Sequence, residues 1–181
     1  MGFNPSEDRS GMAPPAQFRA ATHSDAAAIA RIYNQGIEDR VATFETKPRT
    51  EADILTALRE RADRFPTVVA EVAGEVVAVA WCSEYRPRDC YSGVAEFSVY
   101  TERANRGRGL GYDLMLALAA AAEAGGFWKL VSRVFPENQS SLRLLNRLGF
   151  HKVGVYRRHG KLDGRWRDCV IVEKLIGESL D

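Results

Sequence analysis

Arg106-Gly107-Arg108-Gly109-Leu110-Gly111 packs three glycines and two arginines into six residues. Glycine tolerates positive φ and lets backbone approach a ligand closely. Successive N–H groups in such a turn form an anion nest, and a helix starting there adds roughly half a positive charge. A pyrophosphate suits that chemistry. A tight strand-to-helix turn, with glycines for packing alone, is the structural alternative. Two nucleotide loops are excluded. A Walker A loop needs Lys-Ser or Lys-Thr after the glycines, and the dinucleotide GxGxxG pattern fails because the glycines alternate and position 114 is Leu.

Glu96 is flanked by Val94, Ala95, Phe97 and Val99, where an uncompensated charge is costly. Strand alternation puts it on the face opposite Ala95 and Phe97. It is either a proton acceptor in a site or a carboxylate on a half-exposed strand. Arg86 and Arg88 flank Pro87, with Tyr91 just beyond. Residues two apart in an extended stretch point the same way, so this pair could grip carboxylate, phosphinate or arsinate oxygens. Two solvated loop arginines are the alternative. Cys82, Cys90 and Cys169 are isolated and form no CxxC pair, so neither a metal site nor a disulfide framework is indicated.

The elements that must position these groups follow from periodicity. The order is β-α-α-β-β-β-α-β-α-β-β, a mixed α/β (α+β) pattern. Strands are expected at 18–22, 67–72, 76–81, 94–101, 129–134, 151–157 and 166–175. Helices are expected after Thr22 or Ser24, from about Thr50 with Asp53 as a weak capping box, over 109–124 and over 139–148. Gly125-Gly126 and Gly149 stop the last two. Residues 1–17 are rich in Pro, Ser and Gly, lack a signal-peptide core and read as a mobile tail; 18–176 read as one domain. Across 181 residues the charge is 25 − 24 = +1 and 45% are hydrophobic. A general nucleic-acid binder and a disordered chain are disfavoured on that balance. No apolar run approaches the roughly 18 residues of a membrane span. The odd thiols and missing export signal point to the cytoplasm.

Arg106-x-x-Gly109-x-Gly111 matches the acetyl-CoA motif of the GCN5-related N-acetyltransferase (GNAT) superfamily. Asn138-x-x-Ser141-x-x-Leu144, ending in Leu148-Gly149-Phe150, matches its second motif. Within the superfamily the chain resembles the phosphinothricin- and arsinothricin-type amino-acid N-acetyltransferases. The segments carrying this are Ile32-Tyr33-Asn34, Val41–Thr46, Ala95–Tyr100 and Gly164-Arg165-Trp166-Arg167-Asp168.

The resemblance implies a central mixed, mostly antiparallel, twisted sheet flanked by about four helices. It implies acetyl-CoA as cosubstrate and no metal. Main-chain N–H groups from Gly107 through Arg108, Gly109, Leu110 and Gly111 would hold the pyrophosphate. Backbone at Val99, Tyr100 and Thr101 would pair with pantetheine, Asn138 would bond its arm, and Arg103, Arg106 and Arg108 would neutralise phosphates. Glu96 would be the general base for an amine nucleophile. Phe44, Arg86, Arg88 and Tyr91 would line an amino-acid pocket. The family's Tyr or His that protonates the departing thiolate is Leu145 here, which leaves the general acid unassigned. The implied reaction is acetylation of the α-amino group of a small glutamate analogue by direct attack in a ternary complex. Another amine, a protein N-terminus or a non-catalytic CoA sensor are the alternatives. A small-molecule substrate, no nucleic acid or membrane partner, and a homodimer complete the expectation.

Overall fold

In the computed structural model, which describes residues 15–62 and 64–180, the chain forms seven strands and four α-helices, interrupted by short 3-10 turns. In order they are β1 (Gln17–Ala20), α1 (Ala26–Glu38), α2 (Glu51–Arg61), β2 (Thr67–Val72), β3 (Glu75–Glu84), β4 (Val94–Thr101), α3 (Leu110–Ala124), β5 (Lys129–Val134), α4 (Gln139–Arg147), β6 (His151–Leu162) and β7 (Arg165–Leu175). Residues 1–14 of the expected tail lie outside the described residues, and Gln17 already pairs with Glu71.

One sheet runs β1-β2-β3-β4-β5-β7-β6, antiparallel at every step except β4–β5. Both faces of its centre are covered, because β2 and β3 are apolar in consecutive positions. Val68, Ala70, Ala78 and Ala80 face Leu114, Met115 and Leu118 of α3 with Leu145 of α4. Val69, Val79 and Trp81 face Ile29 and Ile32 of α1 with Ile54 and Leu58 of α2. Burying each of the Val, Leu, Ile and Met side chains among these stabilises the fold by about 1.5–3 kcal/mol. A third cluster (Phe135, Leu162, Cys169 and Ile171, packed with Phe44) sits under β5, β7 and β6.

Local signals place the ends. Thr50 Oγ1 accepts the Asp53 N–H at 3.1 Å while Asp53 accepts the Thr50 N–H at 2.8 Å, the expected capping box of α2. After α3, Gly126 takes φ +80° and the Phe127 N–H returns to the Ala122 carbonyl at 3.0 Å. The two-residue turn Asp163-Gly164 has positive φ at both positions, as a tight hairpin needs. Among the described residues no helix is long and apolar enough to cross a membrane.

Candidate active site

β4 and β5 are neighbours over only Val94–Lys129, Ala95–Leu130 and Glu96–Val131. Beyond these, β4 stays with β3 as far as Thr101 and β5 stays with β7 as far as Val134, so each keeps its outer partner while the two separate. The Ser132 hydroxyl donates to the Phe97 carbonyl at 2.9 Å just past the last pair. The wedge that opens is a passage of about 50 Å³, with Ser98, Val99 and Tyr100 on one wall and Val134, Asn138, Ser141 and Leu145 on the other. A freed strand edge of this kind receives an extended ligand arm as an added strand.

One end of the wedge meets the glycine loop. Gly107 (φ +76°) and Gly109 (φ +84°) are left-handed, and Gly109 is the N-cap of α3. A Cβ built on either meets nothing within 4 Å, so glycine is needed for conformation and the space over the loop is open. The adjoining cleft, about 470 Å³, is lined by Val99, Tyr100, Thr101, Arg106, Gly107, Gly109, Leu110, Gly111, Asn138 and Ser141, with Arg143 and Arg147 of α4 opposite. Asn138 caps α4, its Oδ1 accepting the Ser141 N–H at 3.2 Å. Its Nδ2 donates to no acceptor among the described residues, so capping and ligand binding are compatible.

The arginines differ from the sequence expectation. Arg103 turns to α1, with Glu38 and Asp39 both at 2.8 Å, so its charge is spent on anchoring the loop. Arg108 leans on Asn105 Oδ1 at 3.3 Å and is absent from the cleft lining, though its backbone belongs to the loop. Arg106 lines the cleft while pairing with Asp39 at 2.7 Å. Arg143 and Arg147, which sequence reasoning missed, stand one helical turn apart in α4, a spacing that puts them on one face.

The other end of the wedge opens into a cavity of about 420 Å³. Glu96 lies on its wall, on the face opposite buried Ala95 and Phe97. The wedge shares Phe97, Ser98, Tyr100, Ser132 and Arg133 with this cavity, and Val99, Tyr100, Asn138 and Ser141 with the glycine-loop cleft, so the three spaces adjoin in series. Arg133 clamps Glu96 through Nε at 2.8 Å and Nη2 at 2.6 and 2.7 Å. Tyr33, Trp81, Phe44 and Phe135 supply aromatic walls. Phe44 is held edge-on to Phe135 at 4.8 Å, and Gly160 makes room for it: a Cβ there would lie 2.8 Å from the Phe44 ring. Burial pushes the Tyr33 and Tyr100 hydroxyls above their usual range, so both stay protonated at neutral pH.

Arg86, Arg88 and Tyr91 lie elsewhere, in the β3–β4 connection, and none lines this cavity. The segment is not extended. The Arg88 N–H returns to the Arg86 carbonyl at 2.8 Å, a γ-turn about Pro87, and a 3-10 turn follows at Asp89–Tyr91. Arg86 lies over the Tyr85 ring and both arginines are exposed. The cavity's own arginines are Arg49, Arg61 and Arg133. Trp166 is exposed and Asp168 accepts the Arg158 N–H at 2.7 Å, a backbone clip across the β6–β7 bulge. Burial pushes the Cys82 thiol up to about 12 and Cys169 to about 11, which leaves little thiolate at either.

A mixed sheet parted between two parallel strands, with a glycine nest at the head of the next helix, is the architecture of an acyl-CoA-binding fold. The family model described as Acetyltransferase (GNAT) domain matches residues 18–171, and the chain belongs to that family. It is 34% identical to a phosphinothricin N-acetyltransferase of Streptomyces viridochromogenes, over 85% of this chain and 84% of that protein. It is 33% identical to an L-methionine sulfoximine/L-methionine sulfone acetyltransferase of Pseudomonas aeruginosa, over 87% of this chain and 93% of the relative. The crystal structure of a GNAT superfamily phosphinothricin acetyltransferase from Sinorhizobium meliloti in complex with acetyl-CoA superposes with a TM-score of 0.82 at 32% identity, covering 90% of this chain and 89% of that one. The protein is an acetyl-CoA-dependent N-acetyltransferase. Its open nest, the parted strand edge and the Arg106, Arg143 and Arg147 cations fit the cosubstrate's pyrophosphate, pantetheine and phosphates.

Proposed function

We propose that the protein acetylates the α-amino group of a small amino acid, a glutamate analogue of the phosphinothricin or arsinothricin kind, by direct attack in a ternary complex. The observation that carries this reading is the run of adjoining spaces from the glycine loop, through the β4–β5 wedge, to Glu96. Acetyl-CoA supplies an activated thioester. Glu96 takes the proton from the amine as its nitrogen bonds to the acetyl carbon, and the carbon–sulfur bond breaks. The backbone N–H near Val99 stabilises the carbonyl oxygen as charge builds on it. Arg133 holds the Glu96 carboxylate in one orientation through its fork. Leu145 is buried in the wedge and offers no proton, so solvent returns one to the leaving thiolate, whose ordinary pKa near 8.5 makes it a fair leaving group unaided. Buried Cys82 and Cys169 are unsuited to a covalent acetyl-enzyme, and exposed Cys90 sits in the β3–β4 connection and does not line the Glu96 cavity, which favours direct transfer.

Phe44 is read as a wall of the amino-acid pocket. Arg86, Arg88 and Tyr91 stay in the proposal only as groups that could close over a bound acceptor. A homodimer is supported by the exposed apolar residues Val153, Val155 and Tyr156 on the edge strand β6, and by exposed Trp166 on β7. The test of function is thiol release from acetyl-CoA against a panel of phosphinothricin, methionine sulfone, glutamate and an N-terminal peptide. Turnover confined to the free amino acids is expected. Turnover with the peptide alone would move the reading to protein N-termini, and none with any member of the panel would move it to another amine.

A further inference from the structure

The α1–α2 connection runs past all three adjoining spaces in consecutive residues. Val41 lines the glycine-loop cleft and neither of the others. Thr43 and Phe44 line the Glu96 cavity and neither of the others. Ala42, between them, lines the cleft, the wedge and the cavity together. Among the described residues Tyr100 alone shares that position. Ala42 and Tyr100 therefore flank the crossing at which cofactor space becomes acceptor space.

Both walls of this crossing are fixed. The Tyr100 ring stacks on Trp81 at 5.3 Å and meets the Tyr33 ring edge-on at 4.9 Å. Gly36 of α1 lets the helix backbone close against the same ring: a Cβ there would fall 2.6 Å from it. Ala42 packs against the buried cluster that contains Tyr100. Its own segment is tied at several points. Asn34 clasps the main chain of Arg49, donating from Nδ2 to the carbonyl at 2.9 Å and accepting the N–H on Oδ1 at 2.8 Å. The Arg40 guanidinium donates to the Ile37 and Glu45 carbonyls, each at 3.3 Å, and the Glu45 N–H donates to Thr43 Oγ1 at 3.1 Å.

A thioester in the wedge must turn its carbonyl carbon toward the cavity, where the amine arrives beside Glu96. The sulfur continues into the pantetheine along β4, and the carbonyl oxygen faces the N–H near Val99. The third substituent of that carbon, the acyl chain, is left the crossing. Phe97, Val99, Val134 and Leu145 make the rest of the wedge largely apolar, which suits an alkyl group. The wedge measures only about 50 Å³. Packed walls that cannot yield turn surplus chain length into a clash. We infer that Ala42, set against the fixed Tyr100 ring, limits the acyl group and makes the protein selective for acetyl over longer acyl-CoA thioesters. This rests on the proposed transfer beside Glu96, whichever amine accepts.

The test compares kcat/KM for acetyl-CoA and butyryl-CoA by thiol release, with the best amine of the panel held at saturation. One misfitting methylene in an apolar pocket changes kcat/KM by about 10–200-fold, so the wild-type enzyme should prefer acetyl by at least about tenfold. Ala42→Gly removes the methyl and should cut that preference by about tenfold. Ala42→Val adds to the wall and should raise it. Free CoA carries no acyl group, so its calorimetric Kd should be alike in all three proteins. A preference unmoved in either folded variant overturns the inference and leaves N-acetylation standing. So does equal use of the two thioesters by the wild-type enzyme, a result that needs no variant to fold. Absence of thiol release with every amine overturns the parent reading instead. The Kd of butyryl-CoA relative to CoA then tests the wall by itself: weaker binding that Ala42→Gly relieves supports it, and equal binding in the wild-type protein overturns it.

Discussion

Replacing Glu96 by Gln keeps the side-chain volume and removes the charge. Among the described residues the carboxylate is held by Arg133 alone, whose side chain is 47% exposed against 23% for Glu96. Water therefore replaces much of the lost pairing, and the stability cost should stay near 1 kcal/mol, or about 2–4 °C in Tm. The chemical cost should be larger. A positioned base contributes about 10²–10⁴-fold, and a Gln amide takes no proton at neutral pH. The expected loss in kcat is the same factor, about 3–5 kcal/mol of barrier. Glu96 lines the acceptor cavity and not the glycine-loop cleft, so acetyl-CoA affinity should hardly move. Thiol release at saturating acetyl-CoA, with calorimetric Kd and Tm on the same preparation, reads all three quantities. Wild-type turnover in a variant with intact Tm would refute the reasoning.

Gly109→Ala forces a Cβ into a left-handed position costing about 1–2 kcal/mol, so acetyl-CoA Kd should rise about tenfold by titration calorimetry, with far-UV dichroism unchanged. Gly160→Ala should push the Phe44 ring into the acceptor cavity, raising the KM for the amino acid and sparing acetyl-CoA binding; equal KM values would place Phe44 outside the pocket. Asp25 is buried and gripped by Arg19 at 2.7 and 2.9 Å, which holds its carboxyl below the usual 3.8. A lowered folded pKa adds stability above the ordinary value and loses it as pH falls through the folded one. Asp25→Asn should therefore cost about 1–2 kcal/mol at neutral pH, and its Tm gap to wild type should shrink as pH drops below 3.8.

The parts legible in the sequence were those carried by neighbours in the chain. The glycine loop, the Asn138 cap and the stop at Gly125-Gly126 each need only a few consecutive residues, and each lies where its local chemistry puts it. Glu96 was visible as a charge in an apolar strand, and alternation settled its face. Arg133 was the same kind of signal in β5, a charge that with Lys129 lies on the face opposite buried Leu130, Ser132 and Val134. Its partner could not be read, because the clamp depends on the β4–β5 register across 37 residues. Arg61 was hidden for a similar reason. A basic residue at a helix end is ordinary, and only the packing of α2 over β3 lays it on Trp81 in the cavity wall. Arg86 and Arg88 show the opposite failure: the rule that residues two apart share a face holds for extended chain, and Pro87 turns the chain there. Arg103 and Arg108 had the right charge near the right loop, but Glu38, Asp39 and Asn105 compete for their donors.

The relation between the three adjoining spaces is the core of the account. It predicts that cofactor and acceptor enter from opposite ends of the β4–β5 wedge and meet beside Glu96. A crystal structure of the protein with CoA and an N-acetylated amino-acid product tests this most directly. The account predicts the pyrophosphate against the Gly107–Gly111 amides, the pantetheine along Val99–Thr101, and the acetylated nitrogen within hydrogen-bonding reach of Glu96. A pantetheine arm outside the wedge, or a product amide remote from Glu96, would contradict it.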